Sequence, residues 1–155
     1  MLRKCQPTPL PHLSCYRENN MPTVTWSDEF NINVKEIDEQ HQKMLEIVNN
    51  LHTAVEENRE NEILNDLLIA LYHHTQHHFA TEEELMKKHD YPGYEQHLHE
   101  HKVLLQHLGN LVEGVSSGKN PSFRSDYDVS SDWVLIHIFK SDKDLGLFLN
   151  DHGIF

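Results

Sequence analysis

Residues 78–101 constrain the fold more than any other part of the chain. They contain two pairs of potential metal ligands four residues apart, His78 with Glu82 and His97 with His101. Residues four apart lie on the same face of an α-helix, so each pair can direct two ligand atoms at one point. A Tyr-Pro-Gly turn between the pairs predicts that the second helix folds back antiparallel on the first. Imidazoles and a carboxylate that converge inside a helical hairpin indicate a metal centre.

Apolar residues recur at intervals of three and four in four segments, which is the pattern of amphipathic helices. The first helix is expected from near Asp38 to Glu56, the second from near Asn61 and the third after Gly93. The fourth is expected from about residue 130 to residue 150. The connections are short except for residues 118–128, so the sequence predicts an all-α, up-down-up-down four-helix bundle with an N-terminal arm.

The N-terminal region divides into two parts. Residues 1–21 contain three prolines and no apolar period, and we expect a disordered extension. Residues 22–155 are expected to form one bundle domain, with an ordered arm packed on it through Trp26 and Phe30. Cys5 and Cys15 lie in the extension without CxxC spacing, so they give little support for a disulfide or a redox motif.

Charge and hydropathy exclude several classes of partner. The chain has 13 Lys and Arg against 25 Asp and Glu, a net charge of −12, which argues against binding to nucleic acid or an anionic membrane surface. No run approaches the ~20 apolar residues that span a bilayer, and the first twenty residues lack the apolar region of a secretory signal. We therefore expect a cytoplasmic monomer without membrane insertion.

Every predicted helix carries at least one candidate metal ligand on its apolar stripe. The candidates are His41, His78, Glu82, His97, His101, His137 and Asp142. A single histidine on such a stripe is more often a core residue, but a buried carboxylate is costly unless it is paired or bound to metal. Two cations suit this set, because two carboxylates can bridge them while five imidazoles act as terminal ligands. The donor types suit iron, manganese or zinc.

The spacing of His137 and Asp142 does not fit a regular helix. The two residues are five apart, which places them about 140° apart around an ideal α-helix. Both can reach one site only if the helix is distorted, so we predict a π-bulge or distorted turn between Ile138 and Ser141.

Four separated motifs resemble those of the hemerythrin family, specifically its single-domain bacterial form. They are QHxxM at 40–44, HFxxEExLM at 78–86, HxxxH at 97–101 and HIxxxD at 137–142, and the resemblance covers roughly residues 24–150. It implies a non-haem di-iron centre with an oxo or hydroxo bridge. In that centre one iron is held by His97, His101 and His137, the other by His41 and His78, and Glu82 and Asp142 bridge them. The activity implied is reversible O₂ binding, for storage or for delivery to an oxygen-consuming enzyme.

The resemblance also implies an apolar pocket around the bound oxygen, which would keep out water and protons that promote oxidation of the iron. The candidates, chosen by adjacency to the ligands, are Met44, Phe79, Trp133 and Val134. Relatives often have leucine in place of Val134, and the smaller side chain here leaves more room in the pocket.

Several polar residues near the motifs are open to more than one interpretation. His74 lies one helical turn before His78, where relatives often have tyrosine, and it is either a hydrogen-bond partner near the ligands or a polar core residue. His73 and His77 are also four apart but lie on a different helix face, and we expect surface histidines. Glu83, next to Glu82, is expected to face solvent.

Two other functions are compatible with the same scaffold. A di-iron enzyme that reduces peroxide or nitric oxide would need a second substrate route or an electron donor, and no flavin or haem motif is visible. An oxygen or redox sensor normally passes its signal to an attached domain, which we do not expect here. We therefore expect a binding protein and not an enzyme.

Overall fold

The protein is described by a computed structural model that covers residues 24–59, 61–118 and 134–155. Helix α1 spans Lys35–Glu56, α2 spans Asn61–Lys88 and α3 spans Tyr94–Ser116. The fourth helix, α4, has α-helical residues at 134–137, a π-helical segment at Ile138–Asp142 and α-helix at Lys143–Asp151. The predicted all-α four-helix bundle is confirmed, and no strand occurs in the three described ranges.

Some predictions concern residues outside these ranges. They are the disorder of residues 1–21, the interpretation of Cys5 and Cys15, most of the 118–128 loop, the beginning of the fourth helix and the role of Trp133.

Local chemistry explains where α1 begins. The backbone N–H of Asp38 donates to the carbonyl of Val34 at 2.9 Å, so the first helical hydrogen bond already starts before Asp38. The Asp38 carboxylate accepts from the backbone N–H of Ile32 at 2.8 Å and so fixes the chain that enters the helix. The helix therefore begins at Lys35, three residues earlier than the sequence predicts.

The turn between α2 and α3 reverses the chain within a few residues. Asp90 adopts a left-handed backbone conformation with φ of 53°, and the N–H of Tyr91 donates to the Met86 carbonyl at 2.9 Å. A Cβ on Gly93 would lie 2.7 Å from the ring of Tyr91, so a side chain there would require that ring to shift. This compact turn brings α3 back along α2, as the Tyr-Pro-Gly motif predicts.

The buried side chains form two apolar clusters at different levels of the bundle. The larger cluster includes Met44, Leu51, Leu68, Phe79, Leu104 and Ile138. The smaller includes Ile32, Ile37, Met86, Leu145 and Leu149. On α1, His41 lies between a residue of the smaller cluster and one of the larger, and Glu82 on α2 is placed in the same way. The candidate ligands therefore occupy the level between the two clusters.

The N-terminal arm packs on the bundle through aromatic contacts, as predicted. Trp26 stacks on Phe30 with ring centroids 5.3 Å apart, and Phe30 contacts Phe139 of α4 at 4.6 Å. Val24 is held by two hydrogen bonds with the side-chain amide of Asn49, at 2.9 and 2.8 Å. The arm thus connects α1 with α4.

A close approach between the arm and α4 depends on Gly146. A Cβ at this position would lie 2.6 Å from Cβ of Ile32 and 2.7 Å from its carbonyl oxygen. Beside this contact, the Lys143 ammonium donates to the carbonyl of Asn31 at 2.6 Å, and the Asn150 amide donates to that of Asn33 at 3.0 Å. The absence of a side chain lets α4 dock directly on the arm backbone.

None of the helices in the described ranges is long and apolar enough to cross a membrane.

Candidate metal centre

All seven side chains proposed as ligands meet in the core between the two apolar clusters. None has more than 6% of its surface exposed. Their donor atoms form two overlapping groups, each with all atoms within 4.8 Å of one another. One group contains Glu82, His97, His101, His137 and Asp142, and the other contains His41, His78, Glu82 and Asp142. Three histidines thus lie on one side of the two carboxylates and two lie on the other.

The two carboxylates face both groups of histidines. Asp142 Oδ2 lies 3.1 Å from His41 Nε2, while Asp142 Oδ1 lies 3.1 Å from His137 Nε2. Glu82 Oε2 lies 3.1 Å from His101 Nε2 and 3.6 Å from His78 Nε2. Each carboxylate is therefore placed to be shared between two cations.

The π-helical segment brings Asp142 into this arrangement. The segment spans Ile138–Asp142 and adds the extra residue per turn that a spacing of five requires. As a result His137 and Asp142 point to the same side of α4, and both are buried. The predicted helix distortion is confirmed.

The donor atoms fit a pair of cations. The Nε2 atoms of His41 and His78 are 3.2 Å apart, and those of His97 and His137 are 3.1 Å apart. Two donors that bind one ion at about 2.1 Å and a right angle would be roughly 3.0 Å apart. Oε1 of Glu82 is buried without a hydrogen bond in the described part of the chain. A buried acceptor in this condition is costly, and a cation would satisfy it.

The outer nitrogens of three ligand histidines donate to oxygen atoms. The pairs are His78 Nδ1 with Gln40 Oε1 at 3.0 Å, His101 Nδ1 with Glu83 Oε1 at 3.1 Å and His137 Nδ1 with Glu100 Oε2 at 3.0 Å. Because these oxygens accept, each Nδ1 carries a proton and each Nε2 faces the centre. The three rings are therefore oriented to bind a metal through Nε2.

The roles of two of these hydrogen-bond acceptors were missed from the sequence, and that of the third was interpreted wrongly. Glu83 was expected to face solvent, but it lies against His101 because the two helices α2 and α3 pack closely at this level. Gln40 begins the QHxxM motif and Glu100 stands directly before His101, but neither feature indicates a contact with a histidine on another helix.

Thr81 fixes the orientation of the Gln40 amide. The Thr81 hydroxyl donates to the carbonyl of His77 at 3.2 Å and accepts from Gln40 Nε2 at 3.0 Å. The amide oxygen of Gln40 is then left to accept from His78. His74 Nε2 donates to the backbone carbonyl of Gln40 at 2.8 Å, so the hydrogen bond of His74 reaches the residue directly before the ligand His41.

The two carboxylates remain charged despite their burial. Burial and the charge of Asp142 would raise the pKa of Glu82, but contacts with His78, His101 and His97 outweigh them and lower it to about 2. Burial would also raise the pKa of Asp142, yet its contacts with the histidines, His137 foremost, lower it well below its usual value. The core therefore holds two negative charges that require compensation.

The histidines differ in their affinity for protons. Burial lowers the pKa of His78 to about 4, so this ring is neutral at pH 7. Burial would lower the pKa of His97 as well, but its contacts with Asp142 and Glu82 raise it to about 10. Without cations, protons on the histidines compensate the carboxylates, and cations would replace those protons.

Phe79 forms an apolar wall of the centre. Its ring stacks on that of His101, with centroids 3.7 Å apart and an interplanar angle of 5°. It also lies 5.5 Å from the His78 ring and 5.6 Å from the His137 ring. Met44 and Val134 are buried in the same apolar cluster. Phe79 therefore lies against the ligand rings, the pocket roles of Met44 and Val134 remain predictions, and Trp133 lies outside the described residues.

Comparisons with known proteins agree with this arrangement. A family model described as "Hemerythrin HHE cation binding domain" matches residues 33–148. The chain is 28% identical to a bacteriohemerythrin of Stenotrophomonas maltophilia over 123 residues, covering 79% of each protein. It is 32% identical to a bacteriohemerythrin of Methylococcus capsulatus over 124 residues, covering 79% of this chain and 94% of that protein. A crystal structure of a hemerythrin mutant, with leucine replaced by tyrosine, superposes with a TM-score of 0.76 at 30% identity, covering 83% of this chain and 98% of the mutant.

Proposed function

Because the chain belongs to the hemerythrin family, we propose that it binds O₂ reversibly at a non-haem di-iron centre, for storage or for delivery to oxygen-requiring enzymes. The proposal is carried by one observation, the sharing of Glu82 and Asp142 between three histidines on one side and two on the other. An iron pair bound there would lend two electrons to O₂ and recover them when O₂ leaves.

The donor groups support two ions of unequal ligation. One position is surrounded by His97, His101 and His137, and the other by His41 and His78, with the carboxylates common to both. The second position has fewer protein donors, so it is the position with room for an external ligand. We place the O₂ site there. Iron follows from the family, since the donor types alone suit several metals.

The balance of neutral and charged donors supports binding over redox catalysis. Ferritin-like di-iron proteins use about four carboxylates with two histidines, whereas this centre has five histidines and two carboxylates. Fewer anionic donors would stabilise a highly oxidised iron pair less, which favours holding O₂ over cleaving it. We therefore propose that the protein is not an enzyme.

The apolar wall beside the centre supports the proposal that O₂ binding is reversible. Phe79 covers the face of His101 and reaches His78 on the other side of the centre. Apolar side chains at this position limit the access of water and protons, which would otherwise convert the bound oxygen to a product that leaves the iron oxidised. Val134, three residues before His137, is also buried, and we propose that it contributes to the same wall.

An oxygenation cycle tests this proposal. The iron-loaded protein, alternately exposed to air and to an O₂-free atmosphere, is expected to gain and lose a visible charge-transfer absorption over repeated cycles, with two irons per chain. His41→Ala, which removes a donor from the two-histidine position, is expected to abolish the cycle. Irreversible bleaching with turnover of peroxide or nitric oxide would instead identify an enzyme and overturn the proposal.

A further inference from the structure

The hydrogen-bond acceptors behind the ligand histidines differ in charge between the two metal positions. Behind the three-histidine position, the carboxylates of Glu83 and Glu100 accept from His101 and His137. Behind the two-histidine position, the neutral amide of Gln40 accepts from His78. The outer nitrogens of His41 and His97 have no hydrogen-bond partner in the described part of the chain. Negative charge is therefore concentrated on one side of the centre.

From this asymmetry we propose that Glu83 and Glu100 are positioning residues that make the ion at the three-histidine position the more easily oxidised of the pair. Gln40, which is neutral, gives the ion at the two-histidine position no such stabilisation of its oxidised state. The inference rests on the di-iron function proposed above. It assigns a role to three residues outside the ligand set.

The physical basis is the effect of a charged acceptor on imidazole. A carboxylate that accepts the Nδ1 proton makes the ring a stronger electron donor at Nε2 and increases its affinity for metal. It also adds a nearby negative charge, which favours the more positive oxidation state of the ion. Because the side chains of Glu83 and Glu100 are only 26% and 31% exposed, solvent screens this charge incompletely.

Glu100 is held firmly in this position. Its Oε2 accepts from the Ser141 hydroxyl at 2.5 Å as well as from His137, and its Oε1 accepts from Gln96 at 2.9 Å. Ser141 belongs to the π-helical segment that brings Asp142 to the metals. The same segment thus places a bridging ligand and secures the carboxylate behind another ligand.

Orientation of the rings alone does not require charge. Gln40 orients His78 with a neutral amide at 3.0 Å, the same distance that separates Glu100 from His137. An amide would therefore orient His101 and His137 equally well. Charge is the property that distinguishes the two sides, so exchanging carboxylate for amide separates its effect from that of geometry.

The test uses the full chain loaded with iron and titrated electrochemically without O₂, with the iron spectrum as the readout. The variants are Glu83→Gln and Glu100→Gln, which remove charge and keep an acceptor, and Gln40→Glu, which adds charge. Glu84→Gln and Glu95→Gln are the controls, since they change the net charge equally at exposed positions on the same two helices.

Glu83→Gln and Glu100→Gln are expected to raise the reduction potential of the iron pair beyond the shift of either control, and Gln40→Glu is expected to lower it. Shifts no larger than those of the controls, or a shift in the same direction for all three variants, would overturn the inference.

A second measurement tests the same inference for any variant that takes up too little iron for the electrochemical titration. Titration of the metal-free chain with Co²⁺ is expected to show roughly a tenfold loss of affinity for each carboxylate-to-amide variant, and a gain for Gln40→Glu. Affinities equal to those of the controls would overturn the inference. Neither measurement involves O₂. Failure of the protein to bind O₂ would therefore refute the proposed function without deciding whether Glu83, Glu100 and Gln40 influence the metals.

Discussion

The carboxylate of Asp142 lies 3.1 Å from the imidazole of His41, although 101 positions separate the two residues in the chain. The contact joins α1 to α4 at the level where α2 and α3 supply the remaining donors. All four helices thus meet at one polar level between two apolar clusters. Ions bound at this level would connect the helices to one another, so metal binding and folding stability are expected to be linked.

Replacement of one ligand tests that link. His101→Ala is expected to lower the metal content and to destabilise the metal-free bundle by about 2 kcal/mol or more, because it also removes a buried ring stacked on Phe79. Metal analysis and urea unfolding with and without metal measure the two effects. His77→Ala is the control, since His77 is exposed. Equal metal content in the two variants would contradict the assignment of His101.

Removal of one residue from the π-helical segment tests its role. Deletion of the exposed Lys140 leaves His137 and Asp142 four residues apart, the spacing that places two side chains on one face of a regular α-helix. The segment is therefore expected to become regular α-helix while the two halves of α4 keep their relative rotation, so that the fully buried Leu145 and Leu149 keep their places. The deletion variant is expected to bind metal as the parent does, as measured by metal content and thermal unfolding.

Lys140→Ala is the matched control for that deletion, because it keeps the length of the segment. It is expected to leave thermal unfolding and metal content unchanged. Loss of metal in the deletion variant alone would show that the π-helical segment itself, and not the shared helix face of His137 and Asp142, is needed to hold Asp142 at the centre.

Metal binding is expected to release protons. In the metal-free protein, burial tends to lower the pKa of His97, but contacts with Asp142 and Glu82 raise it to about 10. Below that pH the ring carries a proton that a metal must displace, so apparent affinity rises with pH until about 10. With an ordinary histidine pKa of about 6.5 the rise would end near pH 7.

Zn²⁺ titrations between pH 7 and 9 measure how the apparent metal affinity depends on pH. They are run against a competing chelator, whose own protonation is corrected for at each pH. Roughly a tenfold gain in affinity per pH unit is expected for each proton displaced. Affinity that levels off above pH 7 would contradict the raised pKa of His97.

The contact between Gly146 and Ile32 predicts an unusual effect of adding a methyl group. Alanine in place of glycine within a helix normally stabilises a protein, by about 0.5–1 kcal/mol. At Gly146, however, the new Cβ would lie 2.7 Å from the carbonyl oxygen of Ile32, which belongs to the backbone. Gly146→Ala is therefore expected to destabilise the protein by about 1–3 kcal/mol.

Gly109→Ala provides the opposite case on α3. There the added Cβ would meet only the ring of Tyr72, at an ordinary distance of 3.6 Å. Urea unfolding of both variants is expected to give changes of opposite sign. Stabilisation of both would show that the arm can move away from α4 at little cost.

Much of the fold and the candidate site could be predicted from the sequence because two periodicities coincide. The apolar stripe sets which face of each helix is buried, and His78 with Glu82 or His97 with His101 recur on that face at the same interval. The distortion at Ile138–Asp142 was also predictable, since a spacing of five cannot place His137 and Asp142 together on a regular helix.

The contacts of Glu83, Glu100 and Gln40 could not be predicted in the same way. Each reaches a ligand on a different helix, so the contact depends on the rotation and separation of two packed helices and not on spacing within one. The apolar stripe determines which face is buried but not which polar residue at its edge turns inward. Glu83 at that edge therefore appeared to be a solvated residue.

The shared position of Glu82 and Asp142 has a consequence for how the centre fills. An ion at either position draws on the same pair of acids. The two acids carry two negative charges, so one divalent ion already balances them, and a second ion adds positive charge beside the first. The first ion should therefore bind more tightly than the second, and chains with a single ion should be populated as the metal supply rises.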